Sequence, residues 1–142
     1  MEIRNADLSD LEAIYALDVS REEDKLGEIL RKWVKEKKVY VAQQKGSLVG
    51  YSVLEYTFFF NGFISLLYVN QSARRQGVAT ALVKYFEKIC ETEKLFTSTN
   101  KSNLAMQRLL ESLSYIPSGT VYNLDEGDPE LFYFKQVSEN ST

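Results

Sequence analysis

A strand, a basic segment and a helix follow one another between Leu66 and Thr80, and this junction narrows the possible folds more than any other part of the chain. An apolar run ends at Val69, and beyond Gly77 apolar residues recur at the spacing of a helix with one buried face. The first amides of a helix have no acceptor within it, so they point outward at the positive end of its dipole. We therefore expect a phosphate-binding loop between a strand and a helix.

The residue types of this loop suit a diphosphate ligand. Gly77 has no Cβ to hold a phosphate away, Ala79 is the next smallest choice, and Arg74 and Arg75 bring positive charge to the opening. A solvated turn ahead of an ordinary helix is the plain alternative, and a short glycine-containing motif alone would favour it. The backbone amides predicted to contact the phosphates are those of Gln76, Gly77, Val78, Ala79 and Thr80.

The whole pattern resembles the signature of the GNAT superfamily of acyl-CoA-dependent N-acetyltransferases, in which Arg or Gln, Gly, and Gly or Ala follow a strand at fixed spacing. Arg74, Gly77 and Ala79 match this signature after Val69. A second block of the family, an Asn that opens a helix after the next strand, is matched by Asn103. The resemblance extends over essentially the full chain. It implies an N-acetyltransferase with acetyl-CoA as cosubstrate and an amine of a small molecule or protein as acceptor.

Length and composition set the broad class. A chain of 142 residues predicts one domain, residues 1–142, and the net charge of −3 indicates that no overall positive field attracts nucleic acid or anionic lipid. No apolar run approaches the ~20 residues of a membrane helix. Cys90 is the single cysteine, so no internal disulfide can form, and a cytoplasmic location is expected. Because the chain has no histidine, we expect neither a Ser-His-Asp triad nor a histidine-based metal site, and no metal cofactor.

Periodicity predicts a mixed α/β sheet with helices on both faces, in the order β-α-α-β-β-β-α-β-α-β-β, which is also the order of the GNAT fold. The predicted strands are Glu2–Asn5, Val39–Ala42, Leu48–Thr57, Phe63–Val69, Leu95–Thr99, Tyr115–Asn123 and Glu130–Val137. The predicted helices run from a cap at Asp7 to Val19, from Leu26 to Val34 after a charged break at Arg21–Asp24, from Val78 to about Glu93, and from Asn103 to Leu113.

The pair Asn61–Gly62 is a strong hairpin signal, because both residues tolerate positive φ. If they form the loop, Glu55 lies opposite Tyr68 on one face of the sheet. The three phenylalanines Phe58–Phe60 precede this turn. We rank core packing first for them, while a lid over the acceptor cleft or a contact in a homodimer remain open.

The residues that would move protons do not stand where the family usually has them. The resemblance implies a glutamate base near the start of the fourth strand and a tyrosine acid in the last helix, but Phe63 and Leu110 hold these positions. Glu55 is the best substitute base, with an edge glutamate in solvent as the alternative, and Tyr68 or Tyr115 is the candidate acid. A regulatory domain that binds acyl-CoA without turnover is therefore the second functional hypothesis.

The resemblance also implies how the cosubstrate lies. In the family, strands corresponding to Phe63–Val69 and Leu95–Thr99 splay apart, and the backbone of Leu67, Tyr68 and Val69 bonds the pantetheine arm. Asn103 is a natural helix cap, to which the resemblance adds a role in orienting the cofactor or its bound water.

An acidic turn near the end of the chain is a candidate site for the amine. Asp128 and Glu130, with Asp125 and Glu126 nearby, are predicted to attract a cationic substrate. An ordinary solvated turn is at least as good an interpretation.

Overall fold

The computed structural model describes residues 1–17 and 23–138, and in the second range side chains are described from residue 27 onward. The strands are β1 (Glu2–Asn5), β2 (Val39–Gln44), β3 (Ser47–Phe58), β4 (Asn61–Val69), β5 (Lys94–Asn100), β6 (Ile116–Val121) and β7 (Glu130–Gln136). The helices are α1 (Leu11–Leu17), α2 (Glu23–Lys35), α3 (Val78–Ile89) and α4 (Leu104–Ser112), with short 3₁₀ turns at Leu8–Asp10 and Gln71–Ala73. No helix in the described ranges is long and apolar enough to cross a membrane.

The predicted fold class and element order are confirmed. The strands form a mixed seven-stranded sheet in the order β1-β2-β3-β4-β5-β7-β6. β4 and β5 are parallel, with Gly62 beside Leu95 and Ile64 beside Thr97, whereas β1–β2, β2–β3, β5–β7 and β6–β7 are antiparallel.

Two predicted helix boundaries are wrong. α3 ends at Ile89 rather than near Glu93, because the following segment turns into β5 and the Thr92 hydroxyl bonds the carbonyl of Lys94 at 2.8 Å. α2 already begins at Glu23, so the charged break does not extend to Asp24. The predicted helical residue Val19 and the break residue Arg21 lie outside the described residues.

Two compact units can be distinguished by their internal contacts. Unit 1 comprises Met1–Leu54 and Leu66–Phe86. Its strand β2 alternates between two apolar clusters, because side chains of a strand point to opposite faces in turn. Val39 and Val41 belong to one cluster with residues of α1 and α2, and Ala42 belongs to the other with residues of α3.

Unit 2 comprises Glu55–Ser65 and Glu87–Thr142. The strand β5 again alternates, since Leu95 and Thr97 are buried while Phe96 and Ser98 are only half-buried. Leu110 of α4 is fully buried in this unit. One face of the unit 2 sheet thus carries its core.

The turn between β3 and β4 differs from the prediction. Phe59 and Phe60 form it, with φ of 50° and 66°, and not the predicted Asn61–Gly62. Asn61 belongs to β4, and its side-chain amide donates to the carbonyl of Phe59 at 3.1 Å. A Cβ on Gly62 would lie 2.6 Å from the sulfur of Cys90. The prediction is wrong because these two residues are used for a side-chain bond and for close packing, neither of which a local pattern shows.

The predicted pairing of Glu55 with Tyr68 is wrong for the same reason. The amide of Asn70 donates to the carbonyl of Val49 at 2.8 Å, and the ring of Tyr68 lies beside that of Tyr51, with centroids 6.2 Å apart. Placing the loop two residues too late therefore shifts the predicted register by four residues along β3.

Candidate functional site

The segment after β4 has the form of the predicted loop. Asn70 opens it, and its side-chain oxygen accepts the amide of Ser72 at 3.4 Å. The amide of Ala81 donates to the carbonyl of Gly77 at 3.0 Å, and α3 begins at Val78. The amides of the first turn of α3 precede this bond and have no acceptor within the helix. The loop thus presents backbone donors at the positive end of a twelve-residue helix.

Buried apolar side chains hold the loop and the start of α3 in place. Ala73 and Val78 are 4% and 1% exposed and belong to one apolar cluster of unit 1. A Cβ on Gly50 would lie 2.9 Å from the carbonyl oxygen of Tyr68 and 3.1 Å from a methyl carbon of Val78. Gly50 therefore lets β3 approach both β4 and the start of α3. The sequence analysis missed this residue, although a glycine inside a strand pattern is a recognised sign of close backbone approach.

The two arginines of the loop have different surroundings. The Nε of Arg74 donates to the carbonyl of Val69 at 3.1 Å, and its guanidinium lies 5.6 Å from the centre of the Tyr68 ring. Arg74 thus ties the loop to the end of β4. Arg75 is exposed with φ of 68°, and Gly77 is exposed with φ of 80°. Apart from the neighbours of Gly77 in the chain, no atom of the described residues lies within 4 Å of the place that a Cβ on Gly77 would occupy, so these residues leave room for a ligand there.

Asn103 opens α4 in unit 2. Its side-chain oxygen accepts the amide of Met106 at 3.1 Å, which satisfies one of the unpaired donors of the first turn. The predicted cap is confirmed. The role of Asn103 toward a cofactor stays a prediction.

The acetyltransferase (GNAT) family model matches residues 4–115 of this sequence. The chain belongs to the GNAT acetyltransferase family. A GNAT-family acetyltransferase from Bacillus cereus ATCC 10987 is 32% identical, with a TM-score of 0.88 over 95% of this chain and 96% of that chain. Ard1 from Thermoplasma volcanium is 20% identical, with a TM-score of 0.81 over 97% and 98% of the two chains.

Other GNAT structures share the fold at lower identity. The ribosomal-protein-S18-alanine N-acetyltransferase of Escherichia coli is 17% identical, with a TM-score of 0.79 over 98% of this chain and 95% of that chain. A search of curated proteins gave no match.

One candidate for the GNAT acid, Tyr115, lies in a buried polar network of unit 2. It is 3% exposed, and its hydroxyl donates to a carboxylate oxygen of Glu87 at 2.9 Å. The ammonium of Lys135 donates to the other oxygen of Glu87 at 3.1 Å. Burial, followed by the charge of Glu87, holds the pKa of Tyr115 well above its ordinary value. The network links α3 to β7, and no local pattern identifies Glu87 or Lys135 as its members.

The predicted amine-binding carboxylates both accept hydrogen bonds from serine residues. Asp128 accepts both the amide and the hydroxyl of Ser102, at 3.0 and 2.6 Å. Glu130 accepts the hydroxyl of Ser98 at 2.7 Å. Asp128 thus helps to hold the segment that leads to the cap of α4, a role that the sequence analysis missed. Its contact with a substrate stays a prediction.

The remaining two catalytic candidates belong to different units. Tyr68 is half-buried in unit 1, beneath the guanidinium of Arg74. Glu55 is half-buried in unit 2. Their roles as acid and base stay predictions.

A cavity of about 470 Å³ lies beside the first residue of the loop in unit 1. Its lining includes Asn70, Gln43 and the ion pair of Arg4 with Asp10, whose atoms bond at 2.8 and 3.1 Å. The hydrogen bond from Arg4 lowers the pKa of Asp10, against the opposing effect of burial. Among the lining residues that the structure describes, Arg4 and Asp10 are the charged ones, and their charges neutralise each other.

Proposed function

We propose that this GNAT protein transfers an acetyl group from acetyl-CoA to a primary amine of a small molecule or protein. The amine nitrogen attacks the thioester carbonyl carbon, the bond from that carbon to sulfur breaks, and the amine proton is passed on as CoA leaves as the free thiol. The observation that carries the proposal is the set of first-turn amides after Gly77, which have no acceptor within the helix and which the packing of Val78 and Ala73 fixes in place.

The loop residues fit the charged part of CoA. The amides of Gln76, Gly77, Val78, Ala79 and Thr80 would hold the diphosphate, with Arg75 adding charge from the exposed side. The backbone of Leu67, Tyr68 and Val69 would bond the pantetheine amides as an added strand does. Asn103 would orient the cosubstrate or its water, as the family resemblance implies. The proposal requires no metal and places the protein in the cytoplasm.

For proton transfer we propose Glu55 as base and Tyr68 as acid. Tyr115 is left out of this assignment, because its buried hydroxyl already gives its hydrogen bond to Glu87. Asp128 and Glu130 remain candidates for attracting the amine through their charge, and both also accept bonds from serine hydroxyls. A protein amine is one acceptor class within the proposal, and the Escherichia coli enzyme of the same fold is named for an alanine of ribosomal protein S18.

Binding without turnover is the second candidate function. Phe63 stands near the usual place of the glutamate and stacks on Phe58, with ring centroids 4.9 Å apart. An aromatic pair cannot accept a proton, so any catalysis must depend on another residue.

The chain offers a matched pair of glycines to test the binding site. Gly77 and Gly46 have φ of 80° and 81°, and an added Cβ on either would meet no atom within 4 Å in the described part of the chain, apart from its neighbours in sequence. Replacing either by alanine therefore adds similar strain, about 1 kcal/mol. We expect Gly77→Ala to weaken CoA binding in calorimetry at least about tenfold, or ~1.4 kcal/mol. Gly46→Ala should lose similar stability and keep its affinity.

Equal affinities in the two variants, or no binding of CoA to the unaltered chain, would remove the proposal. Turnover is tested separately, by the release of free thiol from acetyl-CoA with a panel of amines and peptide N-termini. Tight binding without thiol release across that panel would favour the second candidate. Loss of release in Glu55→Gln with CoA affinity unchanged would support Glu55 as the base.

A further inference from the structure

The turn between β3 and β4 exposes two phenylalanines in a conformation that does not suit them. Phe59 is 80% exposed and Phe60 is 92% exposed. Both have positive φ, a region that bulky residues rarely adopt. Asparagine and glycine are preferred in such a two-residue turn, yet here they stand two positions later, at the start of β4. The turn thus accepts both strain and exposed apolar area, which points to a role in binding.

A row of apolar side chains continues from this turn across unit 2. The strand register places Phe63 of β4 beside Phe96 of β5, Phe96 beside Phe134 of β7, and Phe134 beside Ile116 of β6. Opposed residues of neighbouring strands share a face of the sheet. All three phenylalanines are half-buried, and Ile116 is 55% exposed.

Two further phenylalanines join the row to the turn. Phe58 stacks on Phe132, with ring centroids 5.6 Å apart, and meets Phe59 edge to face at 5.1 Å. We call the eight residues the aromatic face, which consists of Phe58, Phe59, Phe60, Phe63, Phe96, Phe132, Phe134 and Ile116.

The core of unit 2 lies on the other face of the same strands. Along β7, Tyr133 and Lys135 alternate with the phenylalanines. Tyr133 is buried, and the carboxylate of Glu111 in α4 contributes to raising its pKa, after burial itself. Lys135 bonds Glu87 of α3. The helical parts of unit 2, which are α4 and the end of α3, therefore pack on the face of the strands opposite to the aromatic face.

We propose that the aromatic face is a contact between two copies of this chain. Phe59 and Phe60 alone expose on the order of 350 Å² of side chain. With the half-buried part of the row, the area approaches the ~800 Å² that each partner contributes to an interface of standard size. A face of one chemical character is self-complementary, as a two-fold contact requires.

Charges next to the turn favour a second copy over a lipid surface. The segment between α3 and β5 carries exposed Glu91 and Glu93, and exposed Lys94 begins β5. The backbone amide of Gly62 donates to the hydroxyl of Thr92 in this segment at 2.9 Å. Anionic headgroups would be repelled by the two glutamates. In a two-fold contact, Lys94 of each copy can approach a glutamate of the other.

The test is the oligomeric state of the full chain in sedimentation velocity over a wide concentration range. The double variant F59N/F60G gives the turn its preferred pair and removes the exposed rings. The unaltered chain should form dimers that dissociate on dilution, whereas F59N/F60G should stay monomeric, with an unchanged or higher melting temperature and unchanged CoA affinity.

A control variant removes two other exposed apolar side chains of unit 2, which lie outside the aromatic face. Tyr122 and Leu124 are 68% and 63% exposed after β6, and the variant Y122N/L124S should still form dimers. A monomeric unaltered chain, or dimers that persist in F59N/F60G, would overturn the proposal. Binding of the unaltered chain to phosphatidylserine vesicles, lost in F59N/F60G, would overturn it in favour of a lipid contact.

Discussion

The predicted phosphate loop of unit 1 and the aromatic turn of unit 2 both contain residues with positive φ, in different settings. In the loop, Arg75 and Gly77 have φ of 68° and 80° and lead into the first-turn amides of α3, which have no acceptor within the helix. In the turn, Phe59 and Phe60 have φ of 50° and 66°, and the conformation exposes side chains. Similar backbone strain thus accompanies a predicted backbone binding site in the loop and an exposed side-chain surface in the turn.

The two regions also differ in what fixes them. The loop rests on apolar packing, in which Val78 and Ala73 are buried. The turn is held by two hydrogen bonds. The side-chain amide of Asn61 donates to the carbonyl of Phe59, and the backbone amide of Gly62 donates to the hydroxyl of Thr92. A loop held by packing should respond to added volume beneath it, whereas the turn should respond to the identity of its own two residues.

The largest effect is expected from adding volume beneath the loop. Gly50→Ala places a methyl group 2.9 Å from the carbonyl oxygen of Tyr68 and 3.1 Å from Val78. Because neither a backbone oxygen nor a buried valine can give way freely, we expect a loss of about 2–3 kcal/mol in the free energy of unfolding. Denaturant unfolding measures this loss, and CoA affinity should fall with it, since the start of α3 is displaced. Full stability together with full affinity in Gly50→Ala would contradict the packing argument.

The loop could be predicted because local patterns suffice for it. The end of an apolar strand, a glycine and a helical period lie within fifteen residues, Leu66–Thr80, and each signal is local. The cap at Asn103 was predicted for the same reason, and the family resemblance assigned both to one fold. The element order followed from alternation and helical spacing along the chain.

The rest depends on contacts between distant parts of the chain. Asn61–Gly62 is the better local turn signal, but Gly62 is needed where Cys90 leaves no room for a side chain. Likewise Tyr115, Glu87 and Lys135 meet only when α3, the segment before β6, and β7 are packed. Locally these are ordinary charged and aromatic residues, so no pattern distinguishes them. The predicted pairing of Glu55 with Tyr68 depended on the hairpin register and was wrong with it, while the catalytic roles of both residues stay predictions.

The second prediction compares one substitution in each region, and the two should change the free energy of unfolding in opposite directions. Phe60→Gly removes a bulky residue from φ of 66°, so we expect the free energy of unfolding to rise by about 1 kcal/mol. Gly77→Ala should lower it by about the same amount, because it adds a Cβ at φ of 80°. Thermal unfolding of both variants, measured in dilute monomeric protein, makes the comparison. A loss of stability in Phe60→Gly under these conditions would show that the ring of Phe60 contributes contacts that outweigh the strain.

The smallest effect concerns the ion pair of unit 1, which gives that unit a sensitivity to acid. Arg4 bonds both oxygens of Asp10, and this lowers the pKa of Asp10 in the folded chain. A carboxyl with a lowered folded pKa stabilises the fold above its ordinary pKa of about 3.9, and this contribution is lost as the pH falls through the folded pKa. Asp10→Asn should therefore cost about 1 kcal/mol at neutral pH and progressively less below about pH 4. Glu12→Gln, an exposed change two residues away, serves as the control and should follow the unaltered chain at every pH. If the gap between Asp10→Asn and the unaltered chain stayed constant down to the acid limit of folding, the stabilisation would come from packing or capping and not from the charge.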